Sequence, residues 1–163
     1  MSRPDSSEAR RRLVEIIGNC VYHALGLADS LADEKRALEA EDMDALDLAI
    51  SNKSRCVAEL RSVEEQRRAF CDHCGVPAGA EQMQRMIDWC DQYSIVANCW
   101  QHLLEVVAQC DFLNTTNGAI IRSRKQHVDT SISILRNGTT ASTIYNRDGQ
   151  KPQLHGLRSI AEA

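Results

Sequence analysis

Two cysteine-containing pairs are the residues of this sequence best suited to chemistry. Cys71 and Cys74 are separated by two residues, and Cys99 and His102 have the same spacing further along the chain. Thiolates and imidazoles are the ligands that Zn²⁺ prefers, so these four side chains could complete a Cys3His site. Each pair also lies at or inside a predicted helix, where residues three apart share a face without any metal. We adopt the simpler interpretation, reduced thiols without a metal, and keep a zinc-binding helical regulator as an alternative.

The full set of cysteines does not suggest a disulfide framework. The chain has 7 cysteines, an odd number, whereas disulfide scaffolds pair an even number in exported proteins. Residues 1–20 carry a cluster of arginines without the apolar core of a signal peptide. No apolar run approaches the roughly 20 residues of a membrane span. We therefore expect a cytosolic protein without membrane insertion, whose reduced thiols are buried as small apolar groups.

Patterns typical of enzymes are missing from the sequence. The 5 histidines are scattered, and their spacing suggests no Ser-His-Asp or Cys-His arrangement. Neither GxGxxG nor GxxxxGK[ST], the glycine-rich signatures of nucleotide-binding loops, occurs. We expect no catalytic activity, no cofactor and no bound metal.

The composition favours helices over strands. Of the 163 residues, 43% are apolar, 26% are charged and only 4% are aromatic, with 8 Gly and 3 Pro. The turns of a many-stranded barrel or sandwich cannot easily be supplied from so few breakers. Residues 1–116 hold 12 Lys and Arg against 20 Asp and Glu, whereas residues 117–163 hold 7 against 3. Because an acidic body repels phosphate backbones, we expect no nucleic-acid partner.

Three long segments carry apolar residues at helical spacing. Asp5, with Glu8 three residues on, predicts the start of the first helix, and Asp42 predicts the start of the second. The Gly- and Pro-containing run 74–79 predicts the turn that ends the second helix. In the first stripe, one spacing, across Lys35, is longer than three or four residues. The first stripe consists of Leu13, Ile17, Cys20, Ala24, Leu27, Leu31 and Leu38.

The third segment has a main stripe and a flanking row, and Trp89 and Trp100 are expected in the core. The main stripe is Met83, Met86 or Ile87, Cys90, Tyr93, Ala97, Trp100, Leu104 and Val107, and the flanking row is Val96, Cys99, Leu103, Val106, Cys110 and Leu113. Each segment has about 32 to 34 residues and is roughly 50 Å long at 1.5 Å per residue. Matched lengths and short connections predict an antiparallel, up-down-up bundle of three long helices.

The character of the chain changes after Leu113. The polar run 114–118 predicts a break, after which an amphipathic helix resumes with Arg122, Arg124, Lys125 and Arg136 around its apolar residues. Beyond Gly138 the apolar periodicity is too weak to offset the ordering entropy, which predicts a mobile tail. The predicted fold is therefore all-α, with a bundle body over 1–116 and a partner-binding C-terminal helix and tail over 117–163. The last helix either packs back on the bundle as a fourth helix or binds a partner's helix.

Several short elements follow one another in a recognisable order. They are the acidic turn Glu41-Asp42 with Leu46 and the stretch Lys53 to Leu60, a helix with Trp100 and Leu104, the element Asn114-x-x-Asn117-Gly118-x-Ile120-Ile121, and the element Ile144-Tyr145-Asn146-Arg147-Asp148-Gly149. Over about residues 10–150, this order resembles the FlgN family of flagellar export chaperones. The Asn-x-x-Asn-Gly and Tyr-x-x-x-Gly elements are the most specific parts of the resemblance.

The resemblance implies a cytosolic, non-catalytic chaperone of flagellar type III export. It implies binding to the C-terminal helices of hook-filament junction (hook-associated) proteins, protection against early assembly, and delivery to the export gate, with the export ATPase complex as a further partner. By matching position, the tail residues Tyr145 and Gly149 would help docking on the gate. Asn146 stands where an aspartate commonly follows the tyrosine, so a charge contact there is not implied. The implied cargo-binding residues are Asn117, Gly118, Ile120, Ile121, Val128, Ile132 and Leu135.

Other interpretations stay open at the level of the sequence. A generic coiled-coil or four-helix scaffold protein would carry the same stripes, with its last helix packed on the body and no affinity for flagellar helices. The zinc-binding alternative predicts stoichiometric metal and a loss of helicity with a chelator. A homodimer that uses the apolar face of the last helix is a further expectation for the cargo-free chain.

Overall fold

The computed structural model describes residues 4–77, 79 and 81–141, with only the backbone for 137–141. These residues form four α-helices, which are α1 (Ser6–Ala40), α2 (Met43–His73), α3 (Gln82–Cys90) and α4 (Ile95–Ala141). The described part of the chain contains no β-strand. The predicted all-α class is confirmed.

Both predicted N-caps are in place. The Asp5 carboxylate accepts a hydrogen bond from the backbone N–H of Glu8 at 2.8 Å, and the Asp42 carboxylate accepts one from the N–H of Ala45 at 3.0 Å. Each bond satisfies an N–H that has no partner within the first helical turn. Glu41, which precedes the second cap, ends α1 with a left-handed backbone at φ 60°. Its N–H points to carbonyls in the last turn of α1. A connection this short places α1 and α2 side by side.

The helices run up, down and up along the first part of the chain. Contacts between α1 and α2 join His23 to Glu59 and Glu34 to Lys53, so rising numbers on α1 meet falling numbers on α2. These two helices are therefore antiparallel. The contacts of α4 with α1 join Cys110 to the carbonyl of Ala24 and Asn117 to that of Leu31, both with rising numbers. α4 therefore runs parallel to α1 over this region, as the predicted topology requires.

The boundaries of the third and fourth helices differ from the prediction. The chain breaks at residues 91–94, where the two carboxylate oxygens of Asp91 accept hydrogen bonds from the N–H groups of Ile95 and Ala97, each at 2.9 Å. Ser94 adopts a left-handed φ of 56°, which no helix continues through. A cap after a short α3 therefore replaces the single long third helix that the sequence predicts.

The predicted break at 114–118 is wrong, because α4 continues through it without interruption. Asn and Thr disfavour helices mainly when their side chains compete for nearby backbone groups. Here the Thr116 hydroxyl donates to the carbonyl of Phe112 at 2.9 Å, one turn back, which is compatible with the helix. The amide of Asn117 bonds to α1 instead of to its own backbone. Tertiary contacts therefore override a local preference against the helix.

The core consists of aliphatic side chains and thiols within residues 9–113. Leu13, Ile17, Leu31 and Val96 are fully buried, and all seven cysteines are free thiols, of which six are buried. The prediction of buried cysteines is confirmed for these six. Both tryptophans are half-buried and pack against this core.

In α4 the buried face is the flanking row of the predicted pattern. Val96, Leu103, Val106 and Cys110 are buried, whereas Leu104 and Val107 of the main stripe are exposed. The break at 91–94 restarts the helical phase, so a stripe counted continuously from α3 does not continue on the inner face of α4. The predicted main stripe is therefore wrong at Tyr93, Leu104 and Val107, whereas Trp100 packs against the core.

The chain divides into two compact units, Met1–Ile121 and Arg122–Ala163. The functional division expected after residue 116 stays a prediction. Of the tail expected beyond Gly138, residues 139–141 are the last of α4, and residues 142–163 lie outside the described residues.

Candidate functional site

The four residues of the zinc hypothesis do not form a metal site. Cys71 and Cys74 are fully buried at the end of α2, whereas Cys99 on α4 is half-buried and His102 is exposed. Burial raises the pKa of Cys71 to about 11, although the Arg67 guanidinium opposes this shift. Across the described residues, no group of three or more His, Cys, Asp or Glu side chains is placed to hold a metal ion. The geometry does not support the zinc alternative.

Arg67 is the most deeply buried cation of the described residues, and its guanidinium contacts other side chains inside the fold. Its guanidinium donates two hydrogen bonds of 2.8 Å to the two carboxylate oxygens of Glu64 and lies 5.3 Å from the centre of the Trp100 ring. The hydrogen bond from Arg67 lowers the pKa of Glu64, against the effect of burial. A bidentate pair stacked on an aromatic ring is a packing unit rather than a site for a substrate.

The expected cargo segment begins inside the first unit with a buried residue. Asn117 is only 1% exposed. Its amide nitrogen donates to the carbonyl of Leu31 at 2.9 Å and to the carboxylate of Glu34 at 2.8 Å, both on α1. Gly118 and Ile120 are half-buried. Ile121, at the end of this unit, is 48% exposed and is the first residue of the segment that presents a large apolar surface.

Glu34 and Lys53 are functional candidates that the sequence prediction did not single out. The Lys53 ammonium donates to both oxygens of Glu34, at 3.1 and 3.0 Å. The signal was present, because the longer step in the first stripe falls where a core residue is expected at position 34. A glutamate at a core position of one helix, with a lysine and an asparagine at core positions of two others, indicates a buried polar layer.

The second unit, taken by itself, presents an exposed aliphatic row on helix residues 122–136. Val128, Ile132 and Leu135 are 54%, 43% and 69% exposed, and their spacing of four and three residues places them on one face. Ile134, which the sequence prediction left out, is also exposed. It stands on a different face, because two residues rotate a helix by about 200°. Exposed cations accompany the row at Arg122 and Lys125.

The family comparison covers most of the chain. Residues 9–153 match the family described as FlgN protein. The chain belongs to the FlgN family. The family consists of flagellar export chaperones and is not known for enzymatic activity. Comparisons with curated proteins and with solved structures give no match.

The tail of this FlgN-family chain carries the residues expected to contact the export gate. Tyr145 and Gly149, expected to help docking on the export gate, lie outside the described residues, so that assignment stays a prediction. No helix in the described part of the chain combines the length and hydropathy that crossing a bilayer needs.

Proposed function

We propose that this FlgN-family chain is a cytoplasmic chaperone for the C-terminal helices of hook-filament junction proteins, also called hook-associated proteins. In this role it prevents their premature assembly and delivers them to the flagellar export gate. Family membership supports the chaperone class. The observation that carries the specific proposal is the set of large aliphatic side chains, Ile121, Val128, Ile132 and Leu135, that remain exposed on α4.

The proposed mechanism is helix-to-helix capture. The cargo-binding segment extends from Asn117 to Leu135, and its apolar residues pair with the apolar face of an amphipathic cargo helix. Each buried aliphatic side chain contributes roughly 1.5 to 3 kcal/mol of gross stabilisation, part of which is offset by ordering the partner. Arg122 and Lys125 complement acidic groups of the cargo and raise the rate of encounter. No covalent bond forms or breaks.

Delivery requires that contacts at the gate compete with contacts to the cargo. We assign this role to the tail, through Tyr145 and Gly149, with the export ATPase complex as a further partner. In the absence of cargo, two copies of the chain can bury the same apolar face in a homodimer. Cargo and self-association are then mutually exclusive because they use one surface.

Calorimetric titration with a peptide that covers the C-terminal helices of a hook-filament junction protein tests the proposal. We expect submicromolar binding by the wild type. Ile121→Asp combined with Val128→Asp should abolish it, because two carboxylates would be buried against apolar surface. Ile132→Asp alone should weaken binding by roughly 10-fold or more.

Ile134→Asp is the matched control, since it introduces the same change at an exposed isoleucine on another face of the same helix. It should bind the peptide as the wild type does. Circular dichroism must show unchanged helicity in every variant. Equal losses from Ile132→Asp and Ile134→Asp would contradict capture by one face. No binding by the wild type, together with self-association, would favour a generic coiled-coil scaffold.

A further inference from the structure

The inner face of α4 ends on a polar residue. The buried side chains of this helix are Val96, Leu103, Val106 and Cys110, followed by Asn117. From residue 118 to residue 136, every side chain that the structure describes on α4 is half-buried or exposed. Among the described side chains of α4, the last fully buried one is thus an asparagine, at a place where the preceding spacing calls for an aliphatic residue.

Asn117 belongs to a layer that joins three helices of the first unit. Glu34 of α1 is 4% exposed, and its carboxylate accepts two bonds from Lys53 of α2 and one of 2.8 Å from Asn117 of α4. The Asn117 amide nitrogen uses its second proton on the carbonyl of Leu31. Because both partners of this nitrogen are acceptors, the orientation of the amide is determined.

The polar layer favours one arrangement of the helices rather than the highest stability. The amide oxygen of Asn117 is buried and accepts no hydrogen bond from the described residues. Buried polar groups of this kind stabilise a bundle less than aliphatic groups of similar volume, but they favour one arrangement of the helices. An aliphatic residue at position 117 would hold α4 by contacts that tolerate rotation and sliding. The two directed bonds of Asn117 hold it in one position.

We propose that Asn117, Glu34 and Lys53 form a polar latch that fixes the last docked turn of α4 on the α1–α2 hairpin. Asn117 is then a positioning residue for cargo binding and not a cargo contact. Ile121 follows it by four residues, one helical turn, so the latch determines where the first exposed apolar side chain of the cargo-binding segment is held. This role in cargo binding rests on the proposed function, whereas the latch itself does not.

Hydrogen exchange of the full chain, with calorimetry on the same junction-protein peptide, tests the latch. Asn117→Ala should raise amide exchange in residues 113–121 at least 10-fold and weaken peptide binding about 5- to 10-fold. Asn114→Ala is the matched control, because Asn114 is an exposed asparagine one turn earlier on the same helix. It should change neither quantity.

Two variants of Glu34 give an independent measure that does not alter α4. Glu34→Ala removes one of the two acceptors of Asn117 and should raise exchange in residues 113–121 in the same direction as Asn117→Ala. Glu34→Gln keeps one acceptor oxygen for Asn117 and should restore most of the protection. A residue that acted only through its negative charge on Lys53 would instead lose protection in glutamine as much as in alanine.

The possible outcomes separate the latch from the proposed function. Wild-type exchange in Asn117→Ala would overturn the latch. Faster exchange with unchanged peptide affinity would overturn the positioning role. Weaker binding with unchanged exchange would make Asn117 a direct cargo contact and also overturn the proposal. If the wild-type chain binds no peptide, the proposed function fails, while the exchange data still decide whether the latch exists.

Discussion

Among single residues, the buried charges of the described chain are held in pairs with different surroundings. Arg67 meets Glu64 within one helix, and its guanidinium also lies against an aromatic ring. Glu34 instead meets a lysine from the neighbouring helix and an amide from a third. In both cases the loss of one partner would leave a buried group without its compensation, which costs more than the pair contributes. The first group links α2 to the Trp100 ring of α4, and the second links α1 to α2 and α4.

The Arg67–Glu64 pair predicts a specific acid sensitivity. Its hydrogen bond lowers the pKa of Glu64 from 4.5 in the folded protein, so the folded state favours the ionised carboxylate. The resulting stabilisation is fully present above pH 4.5 and is lost as the pH falls through the lowered pKa. Between pH 5 and pH 3, urea unfolding should show a smaller loss of stability in Glu64→Gln than in the wild type.

Glu65→Gln provides the control for this acid sensitivity. Glu65 is the next residue, is exposed, and has no hydrogen bond or ion pair among the described residues. Its replacement should leave the pH dependence of the wild type unchanged. If Glu64→Gln follows the wild type over the same pH range, the ionised pair does not contribute to folding as the geometry indicates.

Among the elements, the helix starts at Asp5 and Asp42 could be predicted because capping depends on nearby residues alone. The two errors in the second half of the chain have different causes. The sequence pattern places Asp91 inside a helix although its carboxylate caps the next one, and it places Asn117 in a break although its amide bonds to α1. Asp91 finds its partners on Ile95 and Ala97, close by in sequence, whereas the partner of Asn117 lies on α1, far away in sequence.

The candidate site shows the same limit. Exposed aliphatic residues could be predicted from their spacing, since periodicity identifies a face. The sequence could not predict which face of α4 packs against the core, because the break at 91–94 sets the rotation of α4 about its own axis. The layer around Glu34 was visible only as a longer step in a stripe, and its partners come from helices that lie far apart in sequence.

Two glycines should respond in opposite ways to the same substitution. Gly18 is exposed within α1, and an added Cβ would meet nothing within 4 Å. Gly18→Ala should therefore stabilise the fold by about 0.5 to 1 kcal/mol through helix propensity. Gly75 ends α2 with φ +76°, a conformation that a Cβ disfavours. Gly75→Ala should destabilise the fold by about 1 to 2 kcal/mol.

Urea unfolding followed by circular dichroism measures both changes, and each variant serves as the control for the other. A loss of stability in Gly18→Ala would mean that α1 needs the small residue for a neighbouring surface. No loss in Gly75→Ala would mean that the turn after α2 adopts another conformation in solution.

For the molecule as a whole, the proposed function separates the part of the chain that stabilises the fold from the part that binds cargo. The apolar core lies within residues 9–113, and the latch adds Asn117 just before the end of the first unit. The acidic residues concentrate in the body, and basic residues outnumber acidic ones after residue 116. A chaperone can use this division, because a surface that must release its cargo need not contribute to holding the fold together.

A chain that ends at Ile121 tests this division directly. It keeps every buried core residue that the structure describes, so its unfolding should remain cooperative, with a free energy of unfolding within about 0.5 kcal/mol of the full chain. It lacks Val128, Ile132 and Leu135 and should no longer bind the junction-protein peptide. A truncated chain that melts without cooperativity would show that residues beyond 121 contribute to the core. One that binds the peptide as well as the full chain would place the cargo site on the body instead, where Leu104 and Val107 are also exposed.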